Sequence, residues 1–85
     1  MTIQELSNKV REIIAYKLEM PLDKVNEEDD IVSDLGAGLL DTVEVIMAVE
    51  GAFEFEILDT DAERLHTVGD YVNFVAGKIG IHVDA

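Results

Sequence analysis

The chain contains no cysteine, one proline and only six basic residues among 85. Without thiols it can form neither a disulfide nor a thiolate metal site. No apolar run approaches the roughly 18 residues needed to span a bilayer. Met1-Thr2-Ile3-Gln4-Glu5 shows no basic stretch leading into an apolar one, so no secretory signal is expected, and the reducing cytoplasm is the expected location. The scarcity of bases leaves 19 acids unmatched, for a formal net charge of -13. Such a charge repels nucleic acid and anionic membrane surfaces and favours basic protein partners. A 48% apolar fraction supports a packed core rather than an acidic disordered tail. Residues 1–85 are expected to form one domain, near the small end of what folds alone.

The charge is concentrated. No lysine or arginine lies between Lys24 and Arg64, while 13 acids do. The remaining 6 acids and 6 bases cancel, so the net charge resides in Val25 through Glu63. Two readings stand for this segment: a solvated surface, or a docking face for basic partners.

Helical periodicity organises most of the chain. Ile3, Leu6, Val10, Ile13, Ile14 and Leu18 recur at spacings of three and four, as one buried face of a helix requires. Thr2 and Glu5 form a capping-box pattern at its start, and Pro21 predicts its end near Leu18 or Glu19. A long loop, about Met20 to Ala37, follows, with Leu22, Val25, Ile31, Val32 and Leu35 as expected anchors and Gly36 and Gly38 allowing close approach to the next element. A second helix is predicted over about Leu39 to Ala52. At about 100° per residue, Val45, Ile46, Val49, Ala52 and Phe53 share one face, while Val43 and Met47 fall outside it, flanked by Glu44 and Glu50. Either these two lie at the surface in an acidic frame, or the helix is buried on two sides. Asp59 to Leu65 reads as a short third helix capped by Asp59. A last helix begins after Thr67, with Asp70 completing its capping box and Val68, Tyr71, Val72, Val75 and Ile79 as its apolar stripe. Gly80 and Ile81 to Ala85 read as a frayed tail. The expected fold is all-α, with three main helices and one short one.

Catalytic signals are nearly absent. Ser7 and Ser33 are the only serines, and His66 and His82 suggest no nucleophile–base–carboxylate grouping. Asp59, Asp61, Glu63 and Asp70 approach calcium-loop spacing, but Arg64 stands where the loop needs glycine. No enzyme activity and no metal site are expected.

Across Asp34-Leu35-Gly36-Ala37-Gly38-Leu39-Leu40-Asp41-Thr42-Val43-Glu44 the sequence resembles the acyl carrier protein family, which has Asp-Leu-Gly-Ala-Asp-Ser-Leu-Asp-Thr-Val-Glu there. The likeness extends through Val10, Ile13 and Ile14, through Met47, Glu50 and Phe53, and through Glu56-Ile57, Asp59, Ala62-Glu63 and Thr67-Val68. It implies a four-helix bundle that carries growing acyl chains for fatty acid or related synthesis, as thioesters on a 4'-phosphopantetheine arm. In the family the arm is joined to a serine at the start of the second helix, where free N–H groups and the helix dipole favour its phosphodiester.

That serine is Leu39 in this chain, and the preceding acid is Gly38. Leucine offers no hydroxyl, and neither Thr42 nor Ser33 matches the motif position. No cofactor is therefore expected on this chain. The resemblance further implies a partner-binding face of Asp41, Val43, Glu44, Met47, Glu50, Ile57, Asp59 and Glu63, which would meet basic faces of acyl-synthesising or acyl-transferring enzymes. Gly51 replaces an acid common in the family. Ile31, Val45, Val49, Ala62 and Leu65 would line an acyl cleft, or serve as ordinary core. A monomer is expected. Two functions remain in play: a carrier in a form that cannot be loaded, or a non-carrier adaptor that keeps the acidic face.

Overall fold

A computed structural model describes residues 1–81. It contains four α-helices: α1 (Ile3–Lys17), α2 (Leu39–Phe53), α3 (Asp59–Ala62) and α4 (Val68–Ile79). The expected all-α fold is the one observed, with α1 packed against both α2 and α4.

The ends of the two best-capped helices follow from side-chain chemistry. Thr2 Oγ1 accepts from the Glu5 N–H at 3.1 Å, and the Glu5 carboxylate accepts from the Thr2 N–H at 2.7 Å. Thr67 and Asp70 repeat the exchange at the start of α4. Each pair satisfies N–H groups that a helix start leaves without intrahelical partners. Helix α1 stops at Lys17, with Leu18 as its cap and Glu19 in the left-handed region at φ 55°.

The core gathers one face from each long helix: Leu6, Val10 and Ile14 of α1, Val45 and Val49 of α2, and Val68, Tyr71, Val72 and Val75 of α4. Val25 and Ile31 reach into it from the long loop, as expected. Leu35 packs at its margin, but Leu22 and Val32 are exposed, so only part of the expected anchor set holds the loop. Ala52, placed by periodicity on the core face of α2, is also exposed.

The loop from residue 20 to 37 is held chiefly by backbone. A single 3-10 turn, Leu22–Lys24, opens it. The Arg11 guanidinium donates to the Val25 carbonyl at 2.6 Å and to the Leu22 carbonyl at 3.2 Å. Ser7, buried on the α1 apolar face, donates its hydroxyl to the Glu27 carboxylate. Further on, the Ile31 N–H donates to the His66 carbonyl, Val68 to Asp29 and Gly69 to Glu27, at 3.0, 2.9 and 2.8 Å. A Cβ on Gly69 would lie 3.1 Å from the Glu27 carbonyl oxygen, so glycine permits this close approach. These bonds clamp the loop to the start of α4 and deliver it to α2.

Two helix boundaries differ from the sequence reading. Helix α3 ends at Ala62 rather than Leu65, and its cap is Leu58, with Asp59 already inside the helix. Ile81, read as tail, packs against the core and donates its N–H to the Ala76 carbonyl at 2.9 Å. The rest of the expected tail, residues 82–85, lies outside the described residues.

Candidate functional site

The start of α2 is built by the end of the long loop. Asp30 Oδ1 accepts the N–H groups of Val32 and Ser33, and Asp34 Oδ2 accepts that of Asp30 at 2.7 Å. The hydrogen bonds from Ser33 and then Val32 hold the Asp30 carboxyl below its ordinary value. Gly36 turns the chain at φ 78°, a conformation that favours glycine. Ala37, buried against the core, ties its N–H to the Ile31 carbonyl at 2.8 Å. Gly38 is extended and a Cβ there would meet only Asp41 Oδ2, at 3.8 Å. Its glycine is therefore not required by the backbone, against the expectation.

Gly38 is the N-cap and has no side chain to offer the helix. The one capping bond present runs the other way, from the Gly38 N–H to Asp41 Oδ2 at 3.0 Å. Leu39 is the first residue of α2 and points into solvent. Two hydroxyls lie nearby in sequence. Thr42 donates its own to the Gly38 carbonyl at 3.0 Å. Ser33 is exposed in the preceding turn. The backbone here suits an attached phosphodiester, being a helix start with little around it. The side chain does not, because leucine has no atom that can form the ester.

Around this point the structure sorts the residues of the expected partner face. Val43 and Met47 are 44% and 62% exposed, which resolves the ambiguity left by periodicity in favour of the surface. Glu44, Asp59 and Glu63 are exposed as well. Asp41 and Glu50 are half-buried and already bound to backbone: Asp41 to Gly38, and Glu50 Oε2 to the Ile57 N–H at 2.7 Å. Ile57 departs from the expectation. It is 6% exposed and packs in the core, because the Glu50 bond draws the connector after α2 inward.

The five residues assigned to an acyl cleft all belong to or border one core. Ile31, Val45, Val49 and Leu65 are buried, and Ala62 packs at the margin. A shallow cleft of about 460 Å³ lies elsewhere, lined by Leu40, Val43, Glu44, Met47 and Ala48 of α2 and by Lys17 of α1.

Sequence reasoning missed three participants. Ser7 sits four residues after Ile3 and three before Val10, so its place on the buried stripe was available from spacing. Glu27, its partner, belongs to an acidic run that gave no hint of a bracing role. Leu40 is exposed beside Leu39 and carried no signal beyond being apolar. At the start of α4, partial burial opposes ionisation of Asp70, but hydrogen bonds from the Thr67 and His66 backbone and the Thr67 hydroxyl outweigh it and hold its carboxyl low.

A family profile described as phosphopantetheine attachment site matches residues 8–75. The acyl carrier protein of Picosynechococcus sp. is 44% identical over 77 residues, covering 91% of this chain and 95% of that protein.

Proposed function

Because the chain belongs to the phosphopantetheine-attachment family of acyl carrier proteins, a family of carriers rather than catalysts, we propose that it is a carrier of the fatty-acid-synthesis type in a form that cannot be loaded at Leu39. The single observation that carries this reading is Leu39 itself. It is the first residue of α2, exposed at the position that the Asp34–Glu44 motif gives to the attachment serine. Its side chain is open to solvent, yet it offers only saturated hydrocarbon. No 4'-phosphopantetheine is carried there.

The rest of the surface supports docking without cargo. Exposed Val43 and Met47 lie beside Glu44, with Asp59 and Glu63 further along. Individual exposed charge pairs contribute only about 0–1 kcal/mol. Several together speed encounter with a basic protein face and allow quick release. The partners are acyl-handling enzymes with basic faces, met in the cytoplasm by a monomer. Among the described residues no helix is long and apolar enough to cross a membrane.

The test is incubation with coenzyme A and a phosphopantetheinyl transferase, followed by intact mass measurement. The unmodified mass is expected for this chain, and a gain of one phosphopantetheine for Leu39→Ser. Modification of the parent chain overturns the reading. An arm that attaches to Leu39→Ser but is accepted by no acyl-handling enzyme shifts the function to an adaptor that keeps the fold and the acidic face.

A further inference from the structure

We infer that the groove between α1 and the C-terminal half of α2 binds a small amphiphilic monoanion, a free molecule with an aliphatic tail and one carboxylate. The tail lies on the groove floor and the head meets a lysine at its rim. Of the groove's lining, only Lys17 and Ala48 are shared with the cleft near Leu40. The inference is independent of whether Leu39 can be loaded.

One wall comes from α1. Lys9, Glu12, Ile13, Tyr16 and Lys17 follow the spacing that places residues on a single helix face. The other wall is Ala48 and Ala52, one turn apart on α2. Their short side chains leave the space open. The groove measures about 270 Å³, just under the range of about 300–1,000 Å³ that takes drug-sized ligands, so its occupant is small. Ile13 packs against the core and gives the groove an apolar floor. Tyr16 is 78% exposed, so core packing does not account for its ring beside that floor.

Charge selects the occupant. Lys9 and Lys17 are two of the chain's six basic residues. Their ammonium groups lie 5.6 Å from the Phe53 ring centroid and 5.7 Å from the Tyr16 ring centroid. Such ring contacts steady the aliphatic stems and leave the N–H donors of each ammonium for an acceptor. Glu12 on the same wall offsets one of the two lysines, so the groove presents a single surplus positive charge. A basic partner would meet the lysines, and a neutral lipid would leave them unmatched. A nucleic acid, an acidic protein or a second copy at -13 would be repelled by the acids of Val25 through Glu63 in proportion to its own charge. A single negative charge meets the least repulsion, screened over about 10 Å by salt, and matches the surplus lysine.

The experiment is a titration of the isotope-labelled chain with octanoate, followed by amide shifts in heteronuclear NMR. Saturable shifts are expected at Ile13, Tyr16, Lys17, Ala48 and Ala52. Octanol, with the same tail and no charge, should bind more weakly. Lys9→Gln and Lys17→Gln should each weaken octanoate about threefold, as exposed charge pairs allow, and leave octanol unaffected. Ala52→Glu, at an exposed helix position, should abolish octanoate binding with the melting temperature unchanged. No saturable shift overturns the inference, as does octanol binding equal to octanoate. Glutamine variants that bind octanoate like the parent also overturn it. Shifts confined to Ile31, Val45, Val49 and Leu65 would place the tail in the core instead and overturn the groove. Shifts at Ala48 and Ala52 that follow protein concentration without octanoate would assign the groove to a second copy and overturn it likewise.

Discussion

Glu50 should be worth more to the fold than its exposure as an acidic helix residue suggests. Its carbonyl accepts the N–H groups of Glu54 and Phe55 at 2.8 and 3.3 Å, and its carboxylate accepts that of Ile57 at 2.7 Å. It therefore fixes the connector between α2 and α3 and keeps Ile57 in the core. Glu50→Ala leaves the carbonyl bonds but strands the part-buried Ile57 N–H. A hydrogen bond to a charged group contributes about 1.5–3 kcal/mol, so a loss of about 2 kcal/mol is expected here. In a domain of this size each kcal/mol moves the melting temperature by about 4–8 °C, which gives a fall of about 8–16 °C. Glu50→Gln keeps an acceptor oxygen and loses only the charge assistance, about 1 kcal/mol or less. Thermal denaturation followed by circular dichroism distinguishes the two. An alanine variant that melts like the parent refutes the bracing role, as does a glutamine variant that melts like the alanine one. The same pair separates folding from docking, because both variants lose the charge and only one should lose the brace.

Three further outcomes follow from the charges. The hydrogen-bonded Asp30 carboxyl is held below its ordinary value of 3.8, so its contribution is present above that pH and fades as pH falls through the lowered folded-state value. The melting-temperature gap between the parent and Asp30→Asn should accordingly narrow in acid, and a constant gap would contradict this. Burial, and then the neighbouring Asp70 charge, push Tyr71 up to about 12 from 10.0. The native state therefore favours the neutral phenol, stability falls as pH rises from 10.0 through about 12, and Tyr71→Phe should show a smaller alkaline loss; equal losses in the two proteins count against it. Added salt should raise the melting temperature by screening the excess of negative charge, and an indifferent melting temperature would exclude self-repulsion as a significant term.

The helices were legible where side chains act locally. Thr2 with Glu5 and Thr67 with Asp70 announce their helices because a capping box spans only a few residues. Val43 and Met47 were visible as apolar residues off the core face, although only packing could decide that they lie in solvent. The long loop was legible in part: Val25, Ile31 and Leu35 announce its anchors, whereas its clamp to α4 runs through backbone, as in Val68 to Asp29 and Gly69 to Glu27. Backbone pairing leaves little trace in residue type. Asp41 and Glu50 illustrate the same limit at the site. Composition treats all acids of the segment alike, whereas the fold spends these two on N–H groups and leaves Glu44, Asp59 and Glu63 exposed. The family resemblance puts Ile57 on the partner face, and its burial in the core overrides that placement.

In the proposed reading the surroundings of a carrier site persist while the attachment atom is gone. Intact mass after incubation with coenzyme A and a phosphopantetheinyl transferase addresses it most directly. No mass change is expected for this chain, and one added phosphopantetheine for Leu39→Ser. A phosphopantetheine gained by the unaltered chain would contradict it.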